Sequence, residues 1–369
     1  MKASFHVINF SVCLACAVIS PAQAGSELDQ QIFALAIGVL VAGVAQAAFQ
    51  LPTLRHEGFR YRWISPWRNE TVHRVVRKMI PGMIGLAAFQ LNVTIIQGLG
   101  LWLDTPEQPL IAPFNYAVRL MELPQGMFGI SLATFLLPML SSLAAEKNYG
   151  EFRSTLSHGI STLLFLNLIA SVLLVVLAEP IVRLIFEHGG KFGPAATQRA
   201  SFALMCLAPG LVAFSTVNIL ARAFFALGDT RTPMKISIAC LVLNLVFTCI
   251  LVGPLRQGGL GIANTLSSAL NVSLLVHALR RKLGKLEMQT LARTLLPLAI
   301  AGASALVVAW QGMRFYEDSF GHGTLTLNFG AVFAPATAAG LTYWIVATVF
   351  KIPAATEISH LVLQRFRRK

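Results

Sequence analysis

Residues 158–177 read HGISTLLFLNLIASVLLVVL. All twenty positions pass without a Lys, Arg, Asp or Glu, and about 20 apolar residues are what an α-helix needs to cross roughly 30 Å of hydrocarbon. A helix satisfies its backbone hydrogen bonds within itself, so lipid, which offers no partners, admits it. The run shows no period-two alternation, and neither does any other stretch of strand length, which sets a membrane β-barrel aside. Nine further stretches are of spanning length and mostly apolar: 4–20, 31–51, 79–103, 114–139, 199–227, 235–254, 258–279, 291–311 and 328–350. The expected fold class is all-α, a polytopic membrane protein with about ten transmembrane helices.

Composition agrees. Of 369 residues, 55% are hydrophobic and 12% charged, about half the charge of an ordinary soluble domain, and the mean hydropathy is +0.67. A soluble enzyme, a disordered tail and a nucleic-acid binder are excluded. The excess of 29 Lys+Arg over 16 Asp+Glu belongs instead to cytoplasmic loops. Arg55, Arg60, Arg62, Arg68, Arg74, Arg77 and Lys78 follow the second span, and Arg280, Arg281, Lys282 and Lys285 follow the eighth. Arg365, Arg367, Arg368 and Lys369 close the tail. Loops on the other side hold Glu27, Asp29, Asp104 and Glu107, then a mixed Arg314, Glu317 and Asp318. Lys191 and Arg256 are their few other cations. This alternation puts both termini in the cytoplasm. The first segment has a second reading: Lys2, an apolar run and Ala22-Gln23-Ala24 resemble a cleavable secretory signal, which would leave nine spans and an external amino end. Asn9 and Ser11 inside the run make that signal poor. Five Cys in apolar runs do not make a disulfide scaffold.

Charge within a spanning helix is costly and marks function by default. The fourth span opens with Asn115, Arg119 and Glu122 at i, i+4 and i+7, on one helical face. A guanidinium there can fork onto a phosphate or carboxylate. The bland alternative is that Arg119 and Glu122 neutralise each other near the headgroup boundary, with Arg119 snorkelling. Pro124 just beyond loosens the helix. Asn9, Gln90, Asn92, Asn244 and Asn271 read first as interhelical hydrogen bonds, and Cys13 and Cys16 as small packing residues. Catalytic and nucleotide motifs are absent: no His-Glu-x-x-His, no Gly-x-Ser-x-Gly, and Gly189-Gly190-Lys191 lacks the phosphate-loop spacing. No enzyme activity, metal or cofactor is expected. Pro81-Gly82, Pro138 and Pro209-Gly210 suit bent transporter helices.

Several strings together are familiar. YAVRLMELPQGMFG (116–129) and its continuation ATFLLPMLS (133–141) resemble the eighth helix of the MurJ/MviN proteins, flippases of the lipid-linked peptidoglycan precursor. LIFEHGGKF (184–192) resembles the family's external loop after the ninth helix. ARAFFALGDTRTP (221–233), GLGIA (259–263) with Asn271 following, and QAAFQLP (46–52) also match in order and spacing.

The resemblance implies a MATE/MurJ-like bundle of fourteen helices, two six-helix lobes around a cavity and then two extra helices. Here it begins at the fifth helix, HVINFS (6–11) matching that helix's start, which argues against a signal peptide. Residues 1–52 would be the remnant of the first lobe, 53–78 a basic cytoplasmic loop, 79–279 the second lobe, and 280–369 the extra pair with a basic tail. Arg119 then matches the family's cavity arginine, Asn115 and Glu122 its polar and acidic neighbours, and Asn9 a polar residue of the fifth helix. Together they would form one wall of a cationic site for a pyrophosphate headgroup. The function implied is flipping of lipid II in the bacterial plasma (inner) membrane, with the precursor and membrane lipid as partners. The first four helices and their arginines have no counterpart, so the chain is expected to be inactive alone, needing a missing amino-terminal segment or a partner chain. Two rivals are a related exporter of polysaccharide or drugs, and a structural half that packs with a separately encoded lobe.

Overall fold

The computed structural model describes residues 70–105, 109–187, 192–284, 288–321 and 324–357, with scattered positions between 37 and 58. The expected span 4–20, with Asn9, Cys13 and Cys16, lies outside the described residues; the positions described between 37 and 56 are helical. The chain divides into two compact units, 1–75 and 76–369. Its elements are α1 (Glu70–Leu103), α2 (Ile111–Pro124), a π-helical segment (Gln125–Ile130), α3 (Ser131–Ala145), α4 (Tyr149–Val176), α5 (Ala178–Phe186), α6 (Pro194–Leu207), α7 (Gly210–Ala226), α8 (Arg231–Leu255), α9 (Gln257–Leu283), α10 (Met288–Phe320) and α11 (Leu325–Val349). No strand occurs among the described residues. Six helices there are long and apolar enough to cross a membrane, or seven if α6 and α7 count as one span bent by 48°. α1, at 34 residues, contains the expected span 79–103 but begins nine residues earlier. Its polar first turns continue the helix beyond the stretch that apolarity alone marks, because helix propensity does not stop at the hydrocarbon edge.

Two breaks shape the bundle, and both are written in proline. Pro124 has no N–H and crowds the carbonyl four residues earlier. The ladder resumes through the π-helical turn Gln125–Ile130 before α3 continues the same 35-residue span. Ser131 Oγ donates to Gly126 O at 3.1 Å and Thr134 Oγ1 to Ile130 O at 2.7 Å, satisfying carbonyls around the wide turn. α7 passes so close there that a Cβ on Gly129 would lie 2.7 Å from Ser215 Oγ. At Ala208-Pro209 the bend between α6 and α7 frees carbonyls that lipid cannot serve. Ser171 Oγ donates to Ala208 O at 2.9 Å, and Thr265 Oγ1 lies 3.3 Å from Cys206 O, 3.5 Å from Leu207 O and 3.0 Å from Gly261 O. Gly261 lets α9 reach the break: a Cβ there would stand 3.0 Å from Leu207 N.

Three apolar clusters hold the second unit. One joins α2, α6 and α9 through Phe114, Met121, Leu204, Leu207 and Leu260. Another joins α3, α4, α7 and α9 through Leu136, Phe152, Phe224 and Leu275. The third fastens α10 and α11 to α4. There Ala301, Ala305 and Ala309 on α10 meet Ala339, Tyr343 and Ala347 on α11, each set at i, i+4, i+8. Small residues let the two backbones approach, and Tyr343 Oη donates to Phe165 O of α4 at 2.8 Å.

Candidate functional site

α2 has one face for packing and one for chemistry. Phe114, Ala117 and Met121 are buried in the core, while Asn115, Arg119 and Glu122 are exposed on the opposite side. From Asn115 to Glu122 the polar face rises about 10 Å. Arg119 Nη1 donates to Glu122 Oε2 at 2.8 Å, and the two side chains remain 76% and 50% exposed. The neutralising pair expected from i, i+3 spacing is therefore formed, and its exposure leaves both groups reachable. Farther along the helix the face turns apolar, with Leu123 and Met127 exposed.

Aromatic packing orients this face. Tyr116, next to Asn115, stacks at a tilt on Phe186 with centroids 4.7 Å apart and meets Phe192 edge-on at 5.2 Å. The loop string LIFEHGGKF thus acts through its two Phe rings, which clamp the first turns of α2. Arg183 of α5 anchors the same region. It pairs with Glu179, lies 3.9 Å from Glu187 and 3.7 Å from Glu317 of α10, while Thr197 Oγ1 donates to Glu187 Oε2 at 2.7 Å.

Amides form a second polar feature. Asn92 of α1 donates to Asn244 Oδ1 of α8 at 3.4 Å, and Asn244 donates to Asn264 Oδ1 of α9 at 3.2 Å. Asn92 and Asn244 are the interhelical hydrogen bonds their isolation suggested. Asn264 completes the ladder and escaped notice because an amide's partner on another helix leaves no spacing signal. Asn167, fully buried on α4, was missed for the same reason: it donates to Leu163 O at 3.1 Å and accepts from Ser215 Oγ at 3.4 Å. Asn271 stays part-buried, and its Oδ1 has no partner. Among the described residues no group of His, Cys, Asp and Glu could hold a metal ion.

The family model described as lipid II flippase MurJ matches residues 1–330. A "Probable lipid II flippase MurJ" of Vibrio cholerae is 32% identical over 272 residues, 74% of this chain and 50% of the relative. One of Haemophilus influenzae is 32% identical over 285 residues, 75% of this chain and 55% of the relative. The chain thus spans about half the length of the curated relatives it matches. A solved structure titled "Lipid II flippase MurJ, inward closed conformation" superposes with a TM-score of 0.70 at 19% identity, covering 93% of this chain and 66% of that one. At that identity the likeness speaks for the fold. The multi-pass helical bundle, its proline-broken spans and the family match over residues 1–330 agree, and the chain belongs to the MurJ family of lipid II flippases.

Proposed function

We propose that this chain takes part in moving a polyprenyl-pyrophosphate-linked glycopeptide, the lipid-linked peptidoglycan precursor, from the inner to the outer leaflet of the bacterial plasma membrane. The observation that carries this reading is the exposed polar face of α2. A charge at the middle of a spanning helix costs around 3 kcal/mol on insertion scales, and such groups face a bundle interior or a water-filled cavity. Here Arg119 and Glu122 lie in the first third of the Ile111–Ala145 span and face away from the core, where a second wall would shield them from lipid. That wall is the other lobe, supplied by the rest of a longer protein or by a partner chain.

In the site Arg119 forks onto phosphate oxygens, Asn115 adds an amide, and Glu122 holds the guanidinium until the headgroup takes its place. The apolar strip of Leu123 and Met127 leads from the headgroup toward the tail. No bond is made or broken: the chemistry is desolvation and charge neutralisation. Alternating access needs two bodies that rock against each other, so the chain transports only together with its second lobe.

The test is a proteoliposome assay of fluorescent precursor with the chain and its amino-terminal counterpart. Arg119→Ala is expected to slow flipping about 10- to 100-fold, the worth of a charge-assisted hydrogen bond. Glu122→Gln leaves the guanidinium in place and keeps precursor binding. Unchanged flipping in Arg119→Ala overturns the site assignment, and flipping by the chain alone overturns the need for a second lobe.

A further inference from the structure

α4, α7 and α9 enclose a half-open cavity of about 400 Å³. Its wall is mostly apolar, with Ile160 and Leu164 from α4, Val212 and Ala213 from α7, and Val272 and Val276 from α9. Pro209 lies at one end, and Leu156 and Leu279 at the other. From Thr265 to Leu279 the lining rises about 21 Å along α9, somewhat more than one leaflet of a hydrocarbon core about 30 Å thick. Neither α10 nor α11 contributes a lining residue. An empty void would forfeit dispersion contacts along most of its wall. Its polar lining residues are Ser157, Thr216 and Thr265, and the two threonine hydroxyls already donate to Val212 O and Gly261 O, so few partners remain for the two to four hydrogen bonds a water makes. Its natural filling is a hydrocarbon chain.

Charge decides which lipid. The end marked by Leu156 and Leu279 is the basic end of the bundle. Arg280 continues the Val272–Val276 face of α9 by one more turn and is exposed, with Arg281 and Lys282 following. Arg153 lies one turn before Leu156 on α4. Its Nη1 donates to Leu283 O at 3.4 Å and its Nε to Tyr149 O at 3.0 Å, tying the cavity's two walls together there. Four acids stand at this end: Asp229 pairs with Lys282 at 2.8 Å, Glu151 accepts from Asn148 at 2.9 Å, Glu357 lies 3.2 Å from His158, and Glu146 is exposed. Against them stand Lys147, Arg153, Arg231, Arg280, Arg281 and Lys282. A net positive rim over an apolar slot of leaflet depth matches a lipid with a negative headgroup.

We propose that this cavity seats an acyl chain of one anionic phospholipid, with its phosphate beside Arg280 and Arg153, as a structural lipid separate from any transported substrate. The test reads binding alone and so stands or falls independently of flipping. The full chain is purified in detergent, stripped of lipid, and offered dioleoyl phosphatidylglycerol or dioleoyl phosphatidylcholine. Native mass spectrometry counts the retained lipid, and thermal unfolding reports its effect. One phosphatidylglycerol is expected to be retained and to raise the melting temperature, while phosphatidylcholine washes out. Arg280→Gln, on an exposed side chain, weakens retention about fivefold. Ala213→Phe fills the slot and abolishes it, and Val272→Phe does the same from the other wall should the first variant not fold. Equal retention of the two lipids overturns the proposal, as does retention that neither Arg280→Gln nor a cavity-filling variant changes.

Discussion

Asp229 shows how much one side chain does at a turn. Gly228, at φ +72°, ends α7 in a left-handed conformation, with Gly228 N–H donating to Phe225 O and Asp229 N–H to Phe224 O. The Asp229 carboxylate then accepts from the Thr232 N–H at 3.0 Å and hydroxyl at 2.8 Å, opening α8, and from Lys282 at the end of α9. Burial pushes its pKa up, but the hydrogen bonds from Lys282 and Thr232 and the Lys282 charge outweigh that and hold it at about 2. A depressed carboxylate contributes stability above its unfolded pKa near 3.8 and loses it as pH falls through about 2. Asp229→Ala is therefore expected to cost about 1–2 kcal/mol at neutral pH, with the gap to the parent closing as thermal melts are moved from pH 5 down toward pH 2. A gap that stays constant with pH would remove the ionic part of this account. The string GDTRTP was legible as a family mark, but its physical task was not, because Lys282 joins it from another helix.

At the scale of elements, apolar length and proline told most of the story. The run 114–139 reads as one span and lies within the continuous segment Ile111–Ala145, and Pro124 marks where that helix loosens into a π turn. Pro209-Gly210, inside the single run 199–227, marks a bent helix, and the structure bends there by 48°; the apolar run alone does not show it. Hydropathy counts apolar residues and is blind to direction, so a bent span and a straight one look alike. The alanine ridges of α10 and α11 were hidden too, since Ala in a membrane helix signals neither burial nor exposure. They make a prediction. Ala305 is fully buried between the two helices, so Ala305→Phe must push them apart, at a cost of about 1–3 kcal/mol or more. Tyr343→Phe keeps the ring against Phe165 and loses only the bond to Phe165 O, about 1 kcal/mol. Thermal unfolding in detergent orders the two variants. A larger loss in Tyr343→Phe would mean that the hydroxyl, not close packing, fastens the pair.

At the scale of the whole molecule, the distribution of Lys and Arg predicts both termini on the cytoplasmic side. A green fluorescent protein joined after Lys369 is expected to fluoresce, and alkaline phosphatase at the same place to stay inactive; the reverse would invert every loop assignment made from charge. The membrane-spanning class and the polar face of α2 were legible in one chain, because hydrocarbon leaves few choices for backbone and charge. What covers that face was not, since the residues of one helix face do not record what packs against them. The break at Pro209 carries a consequence for motion. The single Thr265 hydroxyl proton has three carbonyls within 3.5 Å. As α6 and α7 open or close, that proton can pass from one oxygen to the next by rotation about one bond. A joint that flexes there keeps this donor on one of its carbonyls throughout, and Thr265 would be its bearing.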